Sequence, residues 1–140
     1  MQKLLKSLCA LMFCALPVCA TLFAPDARAE EELAPGFNAC TEKAQSTADN
    51  VECYNAAYNY WDKQLNANFK KAQAACEDTA NAKECRAKLL KAQRLWIQYK
   101  EAMGDALYGM GSGGTMDSLT VGDFVARETK KQAQLLAAAE

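Results

Sequence analysis

Apolar side chains recur every three or four residues through the middle of the chain, the spacing of one face of an α-helix. One such series begins near Thr47 or Asp49, either of which can cap a helix start, and a second begins at Lys83. We expect two long helices in an antiparallel hairpin, with the turn near residues 77–81. The apolar positions are Val51, Tyr54, Tyr58, Trp61, Leu65, Phe69, Ala72 and Cys76 in the first helix, and Cys85, Leu89, Ala92, Trp96, Tyr99, Met103, Ala106 and Met110 in the second.

Shorter elements flank the hairpin. Residues 30–37 are predicted to form a flexible N-terminal arm. A short helix is predicted from Asn38 to Gln45. The glycine-rich residues 109–114 interrupt the helical pattern. A last helix follows from about Ser118 to Ala138. Residues 38–138 are therefore predicted to form one all-α domain, a small disulfide-bonded helical bundle.

Local sequence features indicate where the last helix begins and which of its side chains face inward. Thr115 or Asp117 can cap the last helix. Its apolar contacts are predicted at Leu119, Phe124, Val125, Leu135 and Leu136. The segment after residue 30 is also rich in alanine and poor in valine and isoleucine, a balance that favours helix over strand.

The first 29 residues have the pattern of a secretory signal peptide. Lys3 and Lys6 precede an uncharged run over residues 8–24, and Ala27-Arg28-Ala29 offers the small-x-small pattern of a cleavage site. We expect cleavage after Ala29 and a periplasmic or secreted protein, with no stable membrane insertion after cleavage.

Two other interpretations of this segment stay open. A retained membrane anchor is disfavoured because the run is short for a bilayer and contains Pro17. Lipid attachment at Cys14 or Cys19 is disfavoured because the bulky Phe13 and Val18 precede these cysteines.

Composition narrows the chemistry. The 140 residues contain no histidine, which removes the usual zinc or haem ligand and the usual general base. The net charge is −1, and residues 30–140 carry 13 basic and 16 acidic side chains, so the chain lacks the positive field that nucleic-acid binding requires. We expect no metal, no cofactor and no nucleic-acid partner, and the composition argues against an enzyme.

Four cysteines remain after residue 29: Cys40, Cys53, Cys76 and Cys85. An even number in an exported protein predicts disulfides, and the spacing contains no Cys-x-x-Cys pair for zinc or redox chemistry. Of the three possible pairings, Cys40 with Cys53 and Cys76 with Cys85 is the most economical, since each bridge would then straddle one turn between helices.

Four short stretches resemble the LprI-like lysozyme-inhibitor domain family. They are TADNVEC at residues 47–53, WDKQLNANFK at 61–70, LKAQRLWIQYK at 90–100, and Gly-Gly-Thr at 113–115. The resemblance covers residues 38–136 and implies a small exported helical protein that binds and inhibits animal-type lysozyme. The sequence departs from the family at two positions, where Gly104 and Phe124 stand in place of cysteines.

A polar set lies beside the two apolar faces: Asp62, Asn66, Gln93 and Arg94. At helical spacing, these side chains are expected to meet across the hairpin as a structural hydrogen-bonded network, with Asp62 and Arg94 as its charged pair. The methionines are expected to fill the core.

The candidate partner-binding residues cluster near the glycine-rich stretch. They are Lys100, Tyr108, Gly111, Ser112, Gly113, Gly114 and Thr115. The simplest interpretation of the stretch is a helix connector. The functional interpretation is insertion into the cleft of lysozyme, where hydrogen-bond donors would face two catalytic carboxyl groups. The alternative function is a structural or adaptor module of the cell envelope that binds another protein and leaves lysozyme unaffected.

Overall fold

The computed structural model describes residues 31–138, in which the chain forms four α-helices and no strand. The helices are α1 (Phe37–Lys43), α2 (Thr47–Ala75), α3 (Ala82–Met110) and α4 (Thr115–Ala137), with a 3-10 turn at Cys76–Asp78 after α2. The all-α prediction is confirmed. The predicted signal peptide and its cleavage point after Ala29 lie outside the described residues.

Capping side chains set the starts of the two long helices. The Ser46 hydroxyl accepts a hydrogen bond from the Asp49 N–H at 3.1 Å, so Ser46 is the N-cap of α2 in place of the predicted Thr47 or Asp49. The Asn81 side chain accepts from the Glu84 N–H at 3.2 Å and caps α3. Such caps satisfy N–H groups that have no partner within the helix.

The most extensive helix packing is between α2 and α4. The two run in the same direction, since Tyr54 meets Gly122 and, further along both helices, Asn68 donates to the Ala133 carbonyl. Small side chains permit this approach, because Ala57 packs with Ala126 and Ala72 packs with Ala133 in two buried clusters. Leu65 and Leu136 complete the second cluster. The apolar face predicted for α2 is confirmed: each of its positions is buried or half-buried.

Helix α3 packs mainly on α4 and runs in the opposite direction. The Gln132 amide donates to the Gln93 carbonyl oxygen at 2.9 Å, and Gly104 faces Val121 and Val125. The inward face predicted for α3 is partly wrong, since Gln93 and Gly104 are its buried residues. Four residues predicted to face inward are exposed: Ala92, Tyr99, Ala106 and Met110.

The predicted flexible arm is instead packed on the bundle over residues 31–36. Leu33 and Ala34 are 4% and 3% exposed and belong to the core cluster with Ala57 and Ala126. The Trp61 indole N–H donates to the Leu33 carbonyl at 2.6 Å. Burial of two apolar side chains and an indole hydrogen bond together hold this segment in place.

Two disulfide bonds crosslink the opposite ends of α2 to the neighbouring helices. Cys40–Cys53 joins α1 to the start of α2, and Cys76–Cys85 spans the turn into α3, with Cα–Cα distances of 5.7 and 5.6 Å. The Arg86 guanidinium also pairs with the Glu77 carboxylate across that turn. The predicted pairing is therefore present.

Candidate functional site

An open groove lies between α2 and α3, because these two helices both pack on α4 more closely than on each other. The groove encloses about 450 Å³ and is lined by Phe69 from α2 and by Leu90 and Ile97 from α3. It continues towards the end of α3 as a cavity of about 650 Å³ that Tyr58, Lys100 and Tyr108 line. The concave surface therefore extends along most of one side of the bundle.

Lys100 lies where these two cavities join. Its ammonium group is 4.9 Å from the centroids of both the Tyr58 ring and the Trp96 ring. Aromatic faces attract a cation at this distance. Burial lowers the pKa of Lys100, and the carboxylates of Asp62 and Glu101 act in the opposite direction. Burial likewise raises the pKa of the Tyr58 phenol, and the same two carboxylates add to that shift.

The predicted polar set lines the groove from both helices, with Asp62 and Asn66 on α2 and Gln93 and Arg94 on α3. Asn66 donates to the Asp62 carboxylate at 3.0 Å within α2, while Gln93 pairs with Gln132 of α4. Among the described residues, no ion pair joins Asp62 to Arg94. The structure thus brings the four side chains to one groove, and their hydrogen bonds run within α2 and from α3 to α4.

The glycine-rich connection begins later than the sequence pattern suggests, because Gly109 and Met110 still belong to α3. Helix α4 begins at Thr115, where the Asp117 carboxylate accepts from the Gly114 N–H at 3.0 Å. The helix therefore begins three residues before the predicted Ser118, and its N-cap is Gly114 and not the predicted Thr115 or Asp117; Asp117 acts from inside the first turn. The connection itself is residues 111–114.

Tyr108 links the connection to the cavity. Its hydroxyl donates to the Gly113 carbonyl at 3.0 Å, and its ring lines the 650 Å³ cavity beside Lys100. Gly113 has a φ of 73°, a left-handed conformation that glycine adopts without strain. Gly111, Ser112, Gly113 and Thr115 are exposed, whereas Gly114 is half-buried. The predicted partner-binding residues therefore lie at one end of the bundle, except for Lys100, which is about 12 Å further along α3.

Two methionines that the sequence pattern assigned to the core lie at this end of the bundle. Met110 is 75% exposed at the end of α3, and Met116 is 67% exposed at the start of α4. Met103, one of the inward positions predicted for α3, is half-buried. The sequence signal that could have identified the exposed pair is their position on either side of a glycine-rich connection.

The described residues were also compared with the requirements of a metal site and of a membrane-spanning helix. In this part of the chain, no three His, Cys, Asp or Glu side chains are grouped so that they could hold a metal ion. Within residues 31–138, none of the helices has the length and apolar character needed to cross a membrane.

Comparison with known proteins gives one family. The family model for the lysozyme inhibitor LprI matches residues 40–136, which include most of α1 and all of α2, α3 and nearly all of α4. Searches of curated proteins and of solved structures gave no match. Since the family model covers more than half of the chain, the protein belongs to the lysozyme inhibitor LprI family.

Proposed function

We propose that the protein is an exported, non-catalytic inhibitor that binds a lysozyme at its substrate cleft. The family match over residues 40–136 is the observation that carries this proposal. Two disulfides support export, since disulfides persist in oxidising compartments such as the periplasm and the cell exterior.

The end of the bundle formed by residues 108–116 is the part that we propose enters the cleft. Ser112 is exposed on a turn between two helices, and the glycines around it add no side-chain bulk. A lysozyme cleft presents two catalytic carboxyl groups, which accept hydrogen bonds. The Ser112 hydroxyl and the backbone beside it offer donors of the required kind.

The groove along α2 and α3 would then flank the contact. Lys100 and Tyr108 line the cavity that leads from the groove to the connection. An ammonium group that lines an open cavity can attract a partner's acidic groups electrostatically. We therefore assign Lys100 a supporting contact beside the cleft, with Ser112 at its centre.

A turbidity assay tests the inhibition. Residues 30–140, purified with both disulfides formed, are mixed with an animal-type lysozyme, and clearing of a bacterial cell-wall suspension is followed. We expect lysis to stop at about one inhibitor per lysozyme. An unchanged rate at a large excess would contradict the proposal and favour the envelope adaptor, which binds a different protein.

A matched pair of variants tests the site. Ser112→Arg places a long side chain on the connection, and Ala80→Arg places the same side chain on the exposed turn at the opposite end of the bundle. We expect the first variant to lose inhibition on the order of a hundredfold and the second to lose less than threefold. Equal inhibition by both, with unchanged helical circular dichroism, would place the contact elsewhere.

A further inference from the structure

The end of the bundle that carries the connection contains a long uncharged stretch. No charged side chain occurs in residues 106–116, between Asp105 and Asp117, although 24% of the chain is charged. This stretch includes the last turn of α3, the connection and the first residues of α4. Burial of the side chains of this stretch therefore requires none of its own groups to give up a hydrated charge, the most costly part of desolvation. Charged groups border it: the Asp117 carboxylate lies beside Gly111 and Gly114, and Lys100 and Asp105 line the cavity beside Tyr108.

Three large side chains in this stretch are exposed. Met110 is 75%, Met116 is 67% and Tyr108 is 46% exposed. The two methionine side chains lie on either side of residues 111–114. Among the described large apolar residues, Met110 and Met116 are the most exposed. Isolated exposed apolar residues are ordinary, but here three occur together within residues 108–116.

This combination has the composition of an interface core. The buried centres of protein interfaces are depleted of charged residues and enriched in tyrosine and methionine. Methionine is unbranched and polarisable, so its side chain adapts to an irregular concave surface. The connection between α3 and α4 is exposed and turns sharply, a shape that fits a cleft more readily than a flat face.

We propose that Met110, Met116 and Tyr108 form the apolar contact through which this end of the bundle binds inside the lysozyme cleft. The inference rests on the proposed function and deepens it by naming the side chains that provide the buried area. Hydrogen bonds from Ser112 orient the contact, and the two thioethers contribute most of its apolar surface. A second copy of this chain is the competing occupant, and the experiments below separate the two.

Oxidation of the methionines measures their coverage directly. Hydrogen peroxide transfers one oxygen atom to each accessible thioether sulfur, giving the sulfoxide and water. The protein is treated briefly with peroxide, alone and in the lysozyme complex, and peptides are analysed by mass spectrometry. We expect the oxidation rates of Met110 and Met116 to fall about tenfold in the complex. The half-buried Met103 is the internal reference and should change less than twofold.

Each outcome of this experiment is informative. A complex in which Met110 and Met116 oxidise as fast as in the free protein overturns the methionine contact and leaves the proposed inhibition intact. Failure to form any complex overturns the proposed function and the contact with it. Protection that depends on the concentration of this chain alone, without lysozyme, identifies a second copy as the occupant and also overturns the inference.

Paired substitutions test the energy of the contact. Met110→Gln with Met116→Gln keeps the side-chain length and makes the surface polar, whereas Met110→Leu with Met116→Leu keeps it apolar. We expect the glutamine variant to bind lysozyme on the order of tenfold more weakly, and the leucine variant to bind within about threefold of the unmodified protein. Leu135→Gln, at a 64% exposed position near the other end of α4, is the control and should bind unchanged. Equal binding by the glutamine and leucine variants would contradict the inference.

Discussion

Lys100 occupies a position that would ordinarily suit an apolar side chain. It belongs to the inward face of α3, and its ammonium group lies over the rings of Tyr58 and Trp96. The aliphatic stem of a lysine can pack as an apolar group while its charge contacts aromatic faces. Burial lowers the pKa of Lys100, and the carboxylates of Asp62 and Glu101 partly offset that cost of burying the charge.

This environment predicts a specific pH dependence. Burial lowers the pKa of Lys100 from its ordinary value of 10.5, so the folded protein releases this proton before the unfolded chain does. Between the lowered pKa and 10.5, the unfolded chain binds more protons, and the contribution of Lys100 to the free energy of unfolding rises with pH. Below that window, both states are protonated and the contribution is constant.

The Lys100→Met variant isolates this contribution, because methionine keeps an apolar stem over the two rings and removes the charge. We expect the unfolding free energy of the unmodified protein, minus that of the variant, to increase from pH 7 towards pH 10.5. Urea unfolding at several pH values measures this difference, which cancels most of the opposing titration of Tyr58. An NMR titration midpoint for Lys100 at or above 10.5 would contradict the assignment.

At the scale of elements, two glycines lie where α4 packs on its neighbours: Gly104 at the contact of α3 with α4, and Gly122 at the contact of α4 with α2. A Cβ atom at Gly104 of α3 would lie 3.7 Å from a Val121 methyl group, an ordinary contact distance. A Cβ atom at Gly122 of α4 would lie 3.1 Å from the Tyr54 Cβ, which is attached directly to the backbone of α2. The second contact can relax only if α2 and α4 separate at their closest packing.

The two alanine variants should therefore change stability in opposite directions. Gly104→Ala gains helix propensity and fits, so we expect the free energy of unfolding to rise by about 0.5–1 kcal/mol. Gly122→Ala gains the same propensity but forces the helices apart, and we expect a net loss of about 1–2 kcal/mol. Urea unfolding measures both. A stabilising Gly122→Ala would show that the pair of helices can separate at little cost.

These contacts explain what the sequence could predict. The helices were predictable because their apolar spacing and turn residues are local signals, and α2 keeps a uniform apolar face. The inward face of α3 was not predictable, because Gln93 is buried through a hydrogen bond from Gln132, a residue 39 positions away in the sequence. Similarly, Leu135 is exposed while Leu136 is buried, and only the position of α2 decides between these neighbours.

The candidate site likewise contains features that the sequence could predict and features that it could not. The connection, with Tyr108 and Ser112, was predictable from glycine content and position. The exposure of Met110 and Met116 was not predictable from periodicity, which does not reveal whether a neighbouring helix covers the end of a helical face; only their position beside the glycine-rich connection signals it. The packed segment around Leu33 was missed because it is too short to show any period.

At the scale of the whole molecule, stability and recognition are separated along the bundle. Helix α2 has 29 residues, which corresponds to a length of about 43 Å. Cys40–Cys53 lies at the end where α3 passes into α4, and Cys76–Cys85 lies at the opposite end. The second bridge holds α2 to α3, which otherwise meet mainly through α4.

Removing the second bridge should therefore cost stability and leave inhibition intact. For Cys76→Ala with Cys85→Ala, we expect the free energy of unfolding to fall by about 3 kcal/mol, because the unfolded chain is no longer constrained by that closed loop. The proposed contact at Ser112, Met110 and Met116 lies at the other end, so inhibition per folded molecule should stay within about twofold at a temperature where the variant is folded. Thermal unfolding and the turbidity assay, performed on the same preparation, measure the two quantities. Loss of inhibition by the folded variant would mean that the contact with lysozyme reaches the turn between α2 and α3, because no other part of the fold depends directly on this bridge.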